Sequence, residues 1–380
     1  MVVVLLAGAA VYYTLGNTSS GMTNTTTTTT LTSTTSPPSN VLLNGGGSTL
    51  VYPLMSEWTF TYNQLHPNVQ IGYAAVGSGS GIKEITGKLL DFGGTDAPLT
   101  ASQYAALPSG TTLLTIPESD SGVVPAYNVP GVTVSLKFTG AVLAQIFLGA
   151  INMWNDPALV ALNPSLASVN HPIVVVHRSD GSGTMYAFTN FLSDASPQWK
   201  TQVGESTSVA WPVGLGCLHN AGVAQCISSN QYSIGPLEIA YEITNSGTIS
   251  YGSVQNAAGN FVLANLTNIA ATVQIGGTTG LPAGNASWSK VSIIDNIYND
   301  TKDANIYPIT TFTYIVIYQQ QTDPVKATAL VDFIWWIVNS GQSAGSSLGY
   351  PPLPANVVAL DDATLNSVTF NGTPVHSGTM

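Results

Sequence analysis

The sequence predicts an α/β fold, and three observations carry that expectation. Strand-like runs alternate with helix-spaced runs, each alternation passes through a turn rich in Gly and Ser, and the apolar share, 44% of 380 residues with seven Trp, is enough for a sizeable core. A short strand at Leu42-Leu43 leads into Gly45-Gly46-Gly47-Ser48-Thr49, and Pro53 sits where a helix takes its first turn. Leu54, Trp58, Tyr62 and Leu65 follow at helical spacing until His66-Pro67 ends the run. Residues 69–75 (VQIGYAA) read as a second strand, followed by Gly77-Ser78-Gly79-Ser80-Gly81 and a helix expected from Ile82. A third strand near 91–93 ends in Gly94-Thr95-Asp96. Farther on, residues 173–176 read as a buried strand that delivers VVVHRSDGSGT, residues 174–184, to a helix over 185–192. Residues 325–338 (VKATALVDFIWWIV), behind Pro324, are the most apolar run of the body and read as a buried helix too short to span a membrane.

Composition removes several functional classes. Charged residues are 7% of the chain, against about 25% in an average soluble domain, and 8 basic against 19 acidic side chains leave a net charge of -11. Eight scattered cations cannot supply the phosphate contacts of a nucleic-acid binder. After the first dozen residues no stretch approaches the ~20 apolar residues of a spanning helix, which excludes a membrane transporter. His66, His171, His177, His219 and His376 form no H-x-x-x-H pair and the two cysteines have no metal-site spacing, so neither a metal nor another cofactor is expected. The glycine turns also fail two enzyme motifs. Gly81 to Gly87-Lys88-Leu89 is one residue too long for a P-loop and lacks its hydroxyl, and GSGSG places glycine where a nucleophile elbow needs serine.

The N-terminus points outside the cell. Residues 1–16 form a hydrophobic foot, read as an anchor or the remnant of a signal-anchor, without a basic leading segment or a small-residue cleavage site. Residues 17–40 are dominated by Thr and Ser and match a disordered, O-glycosylated stalk or a plain linker. Six Asn-x-Ser/Thr sequons, at Asn17, Asn24, Asn265, Asn285, Asn299 and Asn371, are candidates for glycosylation. For Cys217 and Cys226 a single loop-closing disulfide is the favoured reading, with free thiols as the other.

The turns have the chemistry of an anion cradle. Glycine lets backbone N–H groups converge, Ser and Thr add hydroxyl donors, and a helix N-terminus adds its positive end. Arg178 is the sole arginine of the chain, placed at a strand end with Asp180 two residues on and Ser182-Gly183-Thr184 at the helix start. A guanidinium suits two-pronged contact with a tetrahedral oxyanion, and Asp180 can orient it; an Arg–Asp surface pair beside a helix cap is the plainer alternative. His177 is a candidate for the rim.

These glycine loops and the RSDGSGT segment resemble the periplasmic or extracellular phosphate-binding proteins of phosphate ABC importers, in an archaeal-type, membrane-tethered form. FTGAVLAQIFLGAINMWNDP (138–157), SIGPLEIAY (233–241), YPITTFTY (307–314) and LGYPPL (348–353) are similar to that family too, in the right order over nearly the whole body. The resemblance implies a two-lobed Venus-flytrap fold, each lobe a mixed sheet flanked by helices with the ligand cleft between them. Lobe I would comprise 41–118 plus 305–380 and lobe II 119–304. It implies phosphate held by Thr49, the backbone of Leu50, Ser78 or Ser80, Asp96, Arg178, Ser182, Gly183 and Thr184, with Asp180 and Gly79 in support. Leu50 stands where an aromatic is common, and Gly79 where some members place a binding serine. Partners would be inorganic phosphate and a membrane ABC permease, with no chemistry done on the ligand. A different oxyanion, or a surface filament built on the foot, are the alternatives.

Overall fold

The structure is a computed structural model that describes residues 40–375. The foot, all of the stalk but its last residue, Asn17, Asn24 and His376 lie outside the described residues. From Asn40 onward the chain forms one compact unit.

The first half alternates as expected: β1 (Val41–Gly47), α1 (Tyr52–Leu65), β2 (Val69–Ala74), α2 (Ser78–Thr86) and β3 (Phe92–Thr95). β1 pairs in parallel with β2 on one side and β3 on the other. Two boundaries differ from the sequence reading. The strand runs through all three glycines of GGGST, because the ring of Phe92 lies over Gly45 so closely that a Cβ there would come within 2.1 Å of it. α2 begins inside GSGSG, at Ser78 rather than Ile82.

A long strand, β4 (Leu113–Asn128), then crosses the molecule. β5 (Val174–Arg178), α3 (Gly183–Ala195), β6 (Leu215–Cys217), α4 (His219–Ser229), β7 (Ser233–Glu238) and α5 (Ile239–Asn245) build the second half. The chain returns through β8 (Thr310–Tyr318) and the apolar helix α6 (Pro324–Val338), which buries Leu330, Phe333, Ile334 and Ile337. The strand order is β2-β1-β3-β8-β4-β7-β5-β6. β8 is antiparallel to both β3 and β4. It pairs with β4 from Leu113 to Gly122, and β7 pairs with β4 from Val123 to Asn128. One strand therefore belongs to both halves and changes partner between Gly122 and Val123.

β4 is buried along nearly its whole length, yet carries Glu118, Ser119, Asp120 and Ser121 at its middle. Buried strands are ordinarily apolar, so this stretch marks where the core gives way to a polar interior.

Cys217, at the end of β6, is bonded to Cys226 inside α4, so the loop expected from the sequence is a strand end, a turn and a helix. The bond closes the turn that opens α4. Replacing both cysteines with serine is expected to lower the unfolding free energy by about 2–3 kcal/mol, the chain-entropy value for a loop of this length. Urea melts measure it, and a change within about 0.5 kcal/mol would mean that the turn is already held by its hydrogen bonds.

Candidate anion-binding site

Six chain segments converge where the two halves meet: the ends of β1, β3 and β5 and the starts of α2, α3 and α4. From β1, Ser48, Thr49 and Leu50 are all buried. From β3 comes Asp96, 1% exposed. Ser48 Oγ donates to Asp96 Oδ1 and accepts from the Leu50 N–H at 2.9 Å. Ser78 Oγ donates to Asp96 Oδ2 at 3.3 Å and accepts the Asp96 N–H at 3.2 Å.

Arg178 reaches this cluster from the other half and is 2% exposed. Its Nε donates to Asp180 Oδ1 at 2.7 Å, its Nη2 to Asp180 Oδ2, and its Nη1 to Thr49 Oγ1 at 3.0 Å. Asp180 thus fixes the guanidinium plane, and Thr49 receives its far edge. The Gly79 N–H donates to Gly181 O across the same junction at 3.0 Å. Gly183 packs against Asp96 so closely that a Cβ would come within 2.5 Å of the Asp96 Cβ and Oδ2. Only glycine lets the N-terminus of α3 approach that carboxylate. Ser182 caps α3, accepting the Met185 N–H at 3.2 Å, and Thr184 is fully buried in its first turn. The first N–H groups of a helix have no intrahelical acceptor, and Gly183 brings that end of α3 up against Asp96.

Electrostatics follow from burial. Desolvation pushes Asp96 up to about 6, against the lowering effects of hydrogen bonds from Ser48 and Thr313, the charge of Arg178 and a bond from Ser78. Below Asp96, burial pushes Glu118 and Glu238 to about 8 and Asp120 well above the usual carboxylate range. Thr313 Oγ1 donates to Glu118 at 3.2 Å and Ser121 Oγ to Glu238 at 2.6 Å. Burial acts upward on Asp180 as well, but the bonds and charge of Arg178 and the His219 N–H outweigh it and hold that carboxyl below the usual range.

Thr49, Ser78, Asp96, Arg178, Asp180, Ser182, Gly183 and Thr184 are therefore brought together. Ser80 is not. It is half-buried and lines a surface groove with Lys83, Glu84 and Gln103, because the earlier start of α2 turns it away from Ser78 by two helical positions. The Leu50 N–H is bonded to Ser48 Oγ at 2.9 Å. His177 sits half-buried with its ring stacked on Trp211. Sequence reasoning missed Ser48, although it stands in GGGST. It also missed Asn220, whose Nδ2 donates to Thr49 and Thr184, and Tyr241 and Tyr350, whose hydroxyls donate to Thr49 O and Leu50 O at 2.7 Å. Tyr241 and Tyr350 stand in SIGPLEIAY and LGYPPL, segments that resemble the family without marking a site role, whereas Asn220 lies in no such segment.

The model of a PBP superfamily domain matches residues 23–340. The chain is 38% identical over 312 residues to the phosphate-binding protein PstS of Xylella fastidiosa, covering 82% of this chain and 81% of that one. It is 32% identical over 329 residues to the PstS of Methanocaldococcus jannaschii, covering 83% of each. The chain belongs to the PBP superfamily and, within it, to the PstS phosphate-binding protein family. Among solved structures, a high-affinity periplasmic phosphate-binding protein with bound phosphate matches with TM-score 0.61 at 22% identity, covering 84% of this chain and 92% of that one. A phosphate-binding protein from Stenotrophomonas maltophilia matches with TM-score 0.63 at 16% identity, covering 88% and 96%. Likeness at these identities establishes the two-lobed fold alone.

The raised carboxyls set a pH dependence of stability. A carboxyl whose folded pKa lies above its unfolded value contributes fully below the unfolded pKa and loses that contribution as pH rises through the folded one. For Asp96, Glu118 and Glu238 the window runs from about pH 4 to about pH 8. Asp180 works the other way, but only below its ordinary value near 3.8. The ligand-free protein is expected to melt several degrees higher at pH 5 than at pH 8.5. Thermal unfolding by circular dichroism tests this, and a melting temperature that rises with pH over that interval would contradict it.

Proposed function

We propose that this protein captures inorganic phosphate between its two lobes and hands it to a membrane ABC permease without altering it. The observation that carries the reading is the buried Asp96 carboxylate set against Arg178, the hydroxyls of Ser48 and Ser78 and the N-terminus of α3. Donors alone accept any oxyanion. A carboxylate aimed at the ligand needs a proton to accept, which phosphate near neutral pH carries and sulfate lacks. An unmatched buried charge costs several kcal/mol, so a site built around such a bond can discriminate by roughly 10⁴–10⁵. The names of the PstS relatives agree with this choice of ligand.

We take the lobes as 41–118 plus 305 onward and 119–304, with the hinge in the crossover strand. Binding would take place outside the cytoplasmic membrane, with residues 1–16 as tether. No helix among the described residues is long and apolar enough to cross a membrane. Asn265, Asn285, Asn299 and Asn371 are exposed, as glycan acceptors must be. The net charge of -11 acts at a distance screened beyond ~8 Å at physiological salt, whereas the site's donors act within a bond length of the anion.

Isothermal titration decides the ligand. One phosphate per chain is expected at pH 7.5, with sulfate far weaker. Arg178→Ala should weaken phosphate by about a hundredfold or more, the cost of losing a buried charged donor. Asp96→Asn should narrow the phosphate-over-sulfate ratio by a similar factor. An unchanged ratio would remove Asp96 as the discriminator, and preference of the unsubstituted chain for another oxyanion would replace the ligand.

A further inference from the structure

We infer that Asn220 is a positioning residue for anion capture, which makes the hydroxyls of Thr49 and Thr184 present their protons, and not their lone pairs, to the ligand. The inference rests on the binding site proposed above. Asn220 is fully buried in the first turn of α4. Its Nδ2 donates to Thr49 Oγ1 and to Thr184 Oγ1, each at 3.1 Å, and its backbone N–H donates to Thr49 Oγ1 at 3.3 Å. Arg178 Nη1 donates to the same Thr49 oxygen at 3.0 Å.

A hydroxyl oxygen has two lone pairs and one proton. On Thr49 three N–H groups, one from Arg178 and two from Asn220, compete for the two lone pairs, so what is left to the oxygen is a proton to give away. An oxyanion, which only accepts, is the matching recipient. Thr184 is biased the same way by the second N–H of the carboxamide. Without Asn220, Thr49 keeps only the donor from Arg178 and Thr184 loses the carboxamide N–H, so each hydroxyl can turn a lone pair toward the ligand, where it would repel it.

The geometry also crosses the molecule. Thr49 follows β1 in one half and Thr184 opens α3 in the other, so one carboxamide holds a hydroxyl from each. The turn that carries it is itself restrained. His219 takes a positive φ of 61°, its N–H donates to Asp180 Oδ1 at 3.1 Å, and Cys217–Cys226 closes the segment. Asp180 is the carboxylate that fixes Arg178. A single turn thus sets the guanidinium through Asp180 and two hydroxyls through Asn220.

The test is titration of inorganic phosphate, at pH 7.5, into the full chain and its variants. Asn220→Ala is expected to raise the Kd by about 10- to 100-fold, the scale for disturbing hydrogen bonds to a charged partner. Asn220→Asp keeps the shape but offers acceptors to both threonines, and should bind more weakly still. In the Thr49→Val/Thr184→Val background, where no hydroxyls remain to be oriented, adding Asn220→Ala should change the Kd by less than threefold. A residue that merely props up the fold would exert its full penalty there as well, and that result would overturn the inference. So would Asn220→Ala binding within twofold of the unsubstituted chain while Arg178→Ala loses affinity. If Asn220→Asp does not fold, the threonine background decides by itself. Phosphate binding left intact in Arg178→Ala, Thr49→Val and Asn220→Ala alike would overturn the site itself, an outcome distinct from failure of Asn220 alone.

Discussion

Everything at the junction depends on keeping one guanidinium out of water. Burying a charge is costly unless it is paired and its hydrogen bonds are met, and Arg178 meets this with Asp180 on one edge and Thr49 on the other. That requirement ties the end of β5 to the loop after β1, and Asp180 in turn to the start of α4. Gly77 lets the backbone close against Asp180 and Arg178, Gly79 meets Gly181, and Gly183 packs against Asp96. Remove the arginine, and Asp180 and the Thr49 hydroxyl lose the partner around which their loops are arranged.

Much of this was legible in the sequence, for identifiable reasons. α1, β2 and α6 are set by apolar periodicity and proline, which act locally, and their bounds came out close to expectation. Arg178, Asp180 and Ser182-Gly183-Thr184 stood out because charge is scarce in this chain and because guanidinium, carboxylate, hydroxyl and backbone N–H groups are packed into one strand-to-helix turn. What was not legible is long-range. GSGSG allows either serine to face the ligand, and only the start of α2 separates Ser78 from Ser80. The strand character of GGG depends on Phe92, some fifty residues away. Asn220 owes its place to the register of β6 beside β5, which no pattern around residue 220 reveals.

The acidic middle of β4 gives the scarcity of surface charge a second side. Of the few carboxylates this chain retains, Asp96, Glu118, Asp120, Glu238 and Asp361 are buried, and burial holds each of them toward its neutral form. A surface of Ser, Thr, Asn and Gln changes little as pH falls, and an interior whose acids favour protonation is eased by the same change. Both features tolerate a fall in pH, whereas the buried Arg178–Asp180 pair is weakened once acid protonates Asp180, below the usual carboxylate range.

The sharing of β4 also constrains how the chain comes to be folded. β3, at 92–95, and the first part of β4 stay unpaired on one side until β8, at 310–318, arrives between them. Contacts so distant along the chain form slowly, since the loop between them must be closed first. A polypeptide threaded through a pore from its N-terminus would therefore have most of its length across before its first sheet could be completed. The strand order that joins the halves leaves the sheet incomplete until residues 310–318 have joined it, so completion of the fold waits on the last part of the chain.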